Sequence, residues 1–206
     1  MAGIVAAHSA LAAPADLAGA RVGGPPDGGL MAEYRAGLAT LGLAPPVVVP
    51  MEYERAPAAL GRGEVEVVAD FADLVPRTRR QAGIPVRAVP LGLEVYASGL
   101  VAADRVPPDV VRRMRVAVAV ALAHQREDPT AGVEQLRHRY PEVDPADAVE
   151  GWQLVERNIF TGADLCSMET VGWAATLRWT ASAHGLPVPE PQTVYRPELT
   201  LDLARQ

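Results

Sequence analysis

Apolar and polar positions along the chain follow two periods, and the switches between them lay out the elements. Short apolar runs bounded by glycine or proline read as strands at residues 4–7, 20–23, 47–49, 65–69, 86–91 and 95–102. Helical spacing separates them. Leu30, Met31, Tyr34, Leu38 and Leu41 recur at intervals close to three and four, and Gly42 closes that helix as a C-terminal cap. Residues 55–61 form a brief helix stopped by Gly61 and Gly63, and residues 74–83 read as mixed helical or irregular. Strands alternating with helices imply a largely parallel sheet that takes ligands at its carboxyl ends.

The pattern changes at Pro107-Pro108, beyond which every element is helical. Asp109 is expected to cap a helix over 109–127 whose middle, 116–122, is almost wholly apolar. A helix apolar nearly all round belongs in a buried place. Pro129 opens a shorter helix ending at Tyr140-Pro141, and Asp144-Pro145 opens a third with Val149, Trp152, Leu154 and Val155 on its apolar face. A fourth, over 168–184, carries Val171, Trp173, Leu177 and Trp179 and stops at Gly185 and Pro187. The three tryptophans sit among aliphatics at helical spacing and read as core. The tail from Leu186 is proline-rich and expected to be extended, and the chain has no internal repeat.

Composition narrows the classes. With 206 residues, 49% hydrophobic and 21% charged, the chain is ordinary globular material, one domain or two small lobes. A net charge of −6 argues against a general nucleic-acid binder, which needs a basic face. Every basic residue is arginine, so no Schiff-base lysine and no internal pyridoxal aldimine exist, and no cofactor is expected. Cys166 is the lone cysteine, which leaves no intrachain disulfide or zinc cluster and reads as a small buried apolar residue. No apolar run is long enough to span a membrane. Residues 1–13 are apolar and end in Leu11-Ala12-Ala13, but they lack a charged leading region and are interrupted by His8 and Ser9. They are read as a strand, not as a signal peptide.

The stretch richest in candidate chemistry is residues 16–30: a capped turn, a small apolar strand, the loop Gly24-Pro25-Pro26-Asp27-Gly28-Gly29, and a helix from Leu30. Glycine lets a ligand approach the main chain, and the helix points unpaired N–H groups and its positive dipole end at the loop. Neither the dinucleotide G-x-G-x-x-G spacing nor a Walker lysine is present. Material for catalysis is thin. His8, His124, His138 and His184 lie on different segments without metal-ligand spacing, and Ser9 and Ser98 lack a nucleophile elbow. His124 and Glu127 are three apart near a helix end, where a histidine stabilised by the dipole is the better reading.

The order of parts resembles the solute-binding proteins of ABC importers, in particular the group handling sulfonates, nitrate-type anions and the pyrimidine precursor of thiamine. The resemblance rests on Asp16 through Gly23 before a polar loop and on Gly63-Glu64-Val65-Glu66-Val67-Val68 leading to Asp70-Phe71. It continues through Glu94 to Val101, Val110-Val111-Arg112, Arg139 through Pro145, Met168 through Trp173 with Thr176, and Val194 through Leu199. It implies a type II periplasmic-binding-protein-like α/β fold: one α/β lobe at 14–92 with a mostly parallel sheet, and an incomplete, mainly helical second lobe from 1–13 and 93–206. On that reading the pocket is lined by Pro26, Asp27, Gly28 and Gly29, by Asp70 and Phe71 at a strand end, and by Tyr96 on the strand crossing between lobes. Main-chain N–H groups after Asp27 hold an anionic or carbonyl group, while Phe71 and Tyr96 stack on a planar body. Asp27 reads equally as the helix N-cap, and Arg77, Arg79 and Arg80 as a solvated surface.

The implied function is binding of an anionic or heteroaromatic solute, with an ABC permease as a possible partner; the alternative is a biosynthetic enzyme reusing part of the fold. Relatives carry further leading strands of the first lobe, whereas Met1 here begins almost at the second. The expectation is therefore a shortened chain or a fragment, cytoplasmic as it stands and extracytoplasmic if part of a longer receptor. A second copy covering the incomplete sheet then makes a homodimer.

Overall fold

The computed structural model describes residues 1–93, 95, 96, 99–158 and 169–195. Cys166, Met168, Ser98 and the closing segment beyond Tyr195 lie outside the described residues. The chain divides into two units. The first comprises Met1–Glu94 and Arg178–Pro187, and the second the described parts of Val95–Leu177 and Val188–Gln206.

The first unit is built on a five-stranded sheet of β1 (Ala2–Ala6), β2 (Arg21–Gly24), β3 (Val47–Pro50), β4 (Val67–Asp70) and β5 (Val86–Pro90), in the order β3-β2-β4-β1-β5. β2 runs parallel to β3 and β4, while β1 runs antiparallel to β4 and β5. Two of the four pairings are thus antiparallel, so the mostly parallel sheet expected above is a mixed one. The reason lies in β1. Its four buried residues, Ala2 to Val5, are small or apolar on both faces, which suits a central strand, and it enters between β4 and β5 from the opposite end. The same pairing places residues 2–6 in this sheet and not with the helical part, against the grouping expected for 1–13.

Between the strands lie α1 (Gly29–Thr40), α2 (Ala56–Gly61) and α3 (Val75–Ala82). Successive strand residues face opposite sides. A Cβ on Gly24 would meet Met31 of α1, and one on Gly23 would meet Ala56 of α2, so these helices cover opposite faces. The core lies on the α1 face and gathers Val5, Leu17, Val22, Met31, Tyr34, Leu38, Val67 and Leu91. Tyr34 is fully buried, its hydroxyl has no hydrogen-bond partner among the described residues, and burial pushes its phenol well up.

The second unit is helical: α4 (Pro108–Glu127), α5 (Pro129–Arg139), α6 (Pro145–Asn158) and the leading half of α7 (Thr170–His184), followed by the single turn α8 (Pro191–Val194). The closing half of α7 belongs to the first unit. Asp128 caps α5, its Oδ1 accepting from the N–H groups of Thr130 and Ala131.

Three expectations change here. Asp109 does not cap α4, since the cap position is Pro107 and the Asp109 carboxylate pairs instead with Arg113 one turn on, at 3.1 Å. α4 is not buried all round. Among its residues only Arg115 and Ala119 are buried, while Met114 is 55% exposed, because α5 covers just one side of a helix that is apolar on several. No strand forms at the described residues of 95–102; the Tyr96 N–H, which a ladder would use, donates to Thr176 Oγ1 at 2.8 Å. None of the helices among the described residues is long and apolar enough to cross a membrane.

Candidate functional site

The carboxyl ends of β2 and β4 deliver the loop 25–28 and the pair Asp70-Phe71 to one edge of the first unit's sheet. Pro25 to Gly28 close a tight turn in which the Gly28 N–H donates to the Pro25 carbonyl at 3.1 Å, and Arg35 braces it by donating to the Pro26 carbonyl at 3.0 Å. Pro26, Asp27 and Gly29 are exposed. The N-cap of α1 is Gly28, one residue beyond Asp27, which therefore does not hold the capping position.

What fills this turn is a side chain absent from the sequence expectation. Tyr53 opens a short 3-10 turn, Tyr53–Arg55, after β3, and its hydroxyl accepts from the Met31 N–H in the first turn of α1 at 3.0 Å. Its ring lies against the two glycines of the loop. A Cβ on Gly28 would stand 2.5 Å from the hydroxyl and one on Gly24 would stand 3.1 Å from the ring. Glycine is needed at 24 and 28 because the tyrosine takes the room a side chain would use. The signal available in the sequence was an aromatic between two glutamates, Glu52-Tyr53-Glu54, just past a strand end.

Asp70 is half-buried at the end of β4, where its Oδ1 accepts from the Phe71 N–H at 2.9 Å. Burial pushes its carboxyl above the usual range, the Phe71 hydrogen bond opposes this, and the repulsion of Asp73 outweighs the pull of Arg77. Burial likewise raises the Tyr53 phenol, with Asp70 and Glu33 adding to it. Burial lowers the α-amino group of Met1, which Asp73, Glu33 and Asp70 all pull back up. Because the native Asp70 pKa lies above its unfolded value, the native state holds the extra proton between the two. Its contribution to stability is full below about pH 4 and falls as pH rises through the native value. Asp70→Asn should match the wild type in urea unfolding below about pH 4 and be the more stable protein at pH 7. A variant less stable at pH 7 would show that the ionised carboxylate holds the fold together.

Tyr96 belongs to the second unit, where its hydroxyl accepts from the Glu169 N–H at 2.7 Å. Its ring is 5.8 Å from that of Trp173, which in turn lies 5.7 Å from Tyr195. A Cβ on Gly172 would come within 2.7 Å of the Tyr96 ring. Tyr96 is thus an anchor for the start of α7. Pro26, Asp27, Gly28, Gly29, Asp70 and Phe71 share the sheet edge of the first unit. Arg77, Arg79 and Arg80 are exposed on α3.

No family model matches the sequence, and no curated protein matches it. Among solved structures, the alkanesulfonate-binding protein SsuA from Xanthomonas axonopodis pv. citri, bound to MOPS, matches with a TM-score of 0.50 and 18% identity over 74% of this chain and 54% of that one. The periplasmic aliphatic sulphonate binding protein SsuA from Escherichia coli matches with a TM-score of 0.41 and 18% identity over 97% of this chain and 52% of that one. The chain spans about half the length of these proteins. The first match shows the fold: the α/β arrangement is similar to that of the alkanesulfonate-binding protein.

Proposed function

We propose that this chain is a ligand-binding part of a small-molecule receptor of the kind that serves ABC importers, with its ligand at the carboxyl ends of β2 and β4. The observation that carries the reading is the meeting of a glycine-lined turn, a helix start and a half-buried carboxylate at one sheet edge, in a fold similar to that of an alkanesulfonate-binding protein. In such α/β sheets the strand ends bring main-chain groups and a few side chains together without exposing the apolar core. Pro26, Asp27, Gly28, Gly29, Asp70 and Phe71 are the contact residues this reading assigns. An ABC permease is the partner it implies, and an extracytoplasmic place of work goes with it if the chain is part of a longer receptor. Finding genes for a permease and an ATPase beside this one would favour transport, and finding biosynthetic genes instead would count against it.

A thermal-shift screen with sulfonates, pyrimidines, flavins and small aromatic acids tests the reading. A compound present at a hundred times its Kd adds about 2.7 kcal/mol, which raises the midpoint by about 5–10 °C in a chain of this size. No stabilising compound at millimolar concentration sinks it.

Self-association is part of the proposal. Val110, Met114, Ala117 and Ala121 are exposed at intervals of four, three and four along α4, a seam of the kind by which helices pair. We propose that a second copy covers it, giving a closed two-fold homodimer. Light scattering at low micromolar concentration should give about twice the mass of one chain, and Met114→Glu should halve it. A monomer at that concentration removes the dimer from the proposal.

A further inference from the structure

α1 starts without a cap of its own. Its N-cap is Gly28, which has no side chain to reach the first-turn amides that a helix leaves unpaired. A serine or aspartate at that position would place its oxygen on an amide such as the Met31 N–H, three residues on. The oxygen that stands there belongs to Tyr53, twenty-two residues away in sequence, at 3.0 Å. The two arrangements exclude one another. A Cβ on residue 28 would lie 2.5 Å from the Tyr53 hydroxyl and 3.0 Å from the ring carbon that bears it. On the strand side, a Cβ on Gly24 would lie 3.1 Å from the same ring. The ring therefore fills the space between the end of β2 and the start of α1, and its hydroxyl holds the amide at the bottom of it.

We propose that Tyr53 is an autoinhibitory plug: it holds the start of α1 shut, and any other acceptor oxygen reaches the Met31 amide only after the ring has left. Its consequence for binding rests on the ligand-binding reading above, while its geometry stands on Tyr53, Gly28 and Met31 alone. A ligand that uses the main chain of this turn binds only the fraction of molecules in which the ring is out, so its apparent affinity falls by that fraction. The moving part is small. Tyr53 opens the three-residue turn Tyr53–Arg55 and is only partly buried, so its ring has a way out to solvent that leaves the sheet in place.

Thermal unfolding of a double-mutant cycle tests the exclusion. Gly28→Ser should lower the midpoint of the wild-type chain, because the new side chain expels the ring. In Tyr53→Ala the same substitution should raise the midpoint by about 1–4 °C, because serine then supplies the missing cap and replaces a glycine. Millimolar 4-methylphenol, the tyrosine side chain without its backbone, should stabilise Tyr53→Ala and leave the wild type and the double variant unmoved. A screen compound that binds the wild type should bind Tyr53→Ala about tenfold more tightly, the tax set by an open population of about one in ten. Gly28→Ser acting with the same sign in both backgrounds overturns the proposal, as does 4-methylphenol acting on all three chains alike or on none. Equal affinity of a screen compound for wild type and Tyr53→Ala also overturns it, and leaves the ligand-binding reading intact. If no compound binds either chain, that reading fails, and the sign reversal and the phenol still decide whether the ring holds the helix start. Should Tyr53→Ala not fold, Tyr53→Phe, which keeps the ring and drops the oxygen, gives the same sign comparison.

Discussion

Gly61→Ala is expected to cost about 3 kcal/mol or more, a large fraction of the roughly 5–15 kcal/mol that holds a typical domain folded. Gly61 ends α2, and a Cβ built there would stand 2.1 Å from the carbonyl oxygen of Ala82 at the end of α3. The opposing atom is backbone, so relief requires the two helices to move apart, and overpacking that displaces backbone is the costly kind. Gly132→Ala provides the contrast. The atoms nearest its Cβ all belong to the amide tip of the Gln125 side chain, which is flexible and can move. Gaining alanine within α5 is worth about 1 kcal/mol, offset by about 1 kcal/mol if the Gln125 hydrogen bond to the Pro129 carbonyl is given up. Urea unfolding followed by circular dichroism should therefore show a large shift for the first variant and almost none for the second. A Gly61→Ala protein as stable as the wild type would mean that α2 and α3 do not approach this closely.

Trp179→Ala should cost a similar amount, about 3–5 kcal/mol, through loss of a large buried ring. Trp179 is 6% exposed on the closing half of α7, and its Nε1–H donates to the Glu33 carbonyl of α1 at 3.0 Å. Beside it, Gly37 leaves α1 without a side chain where Leu91 and Leu93 approach. Trp179→Phe keeps most of the apolar area and removes the donor, so it isolates the hydrogen bond at about 1–2 kcal/mol. Equal losses in the two variants would show that the hydrogen bond, not the packing, ties this part of α7 to α1. Loss of neither would detach the helix end from the core altogether.

Much of the architecture was legible in the chain because its punctuation is strong. Pro46 and Pro50 frame the β3 run, Gly42 stops α1, and Pro129 and Pro145 open α5 and α6 where the sequence placed them. The α/β class follows from that alternation, and the fold likeness to the alkanesulfonate-binding protein agrees with it. The reading failed where an element's fate depends on a partner far along the chain. Residues 95–102 carry a strand-like run, yet the Tyr96 N–H finds Thr176 eighty positions on. α4 has the composition of a buried helix, but composition does not say how many neighbours will arrive to cover it.

The loop before α1 shows the same division most clearly. Local sequence determined that glycines and prolines would make a tight turn there, that a helix would begin at its end, and that a carboxylate and a phenylalanine would close the strand at 70 and 71. Backbone freedom and hydrophobic period act between near neighbours, so they are written in the order of residues. Tertiary structure decided that β1 would enter the sheet antiparallel and that Tyr53, twenty-two residues from Met31, would occupy the turn and take its amide. Those outcomes depend on which strands come to lie side by side, and that is settled by burial of the whole core and not by any single stretch of the chain.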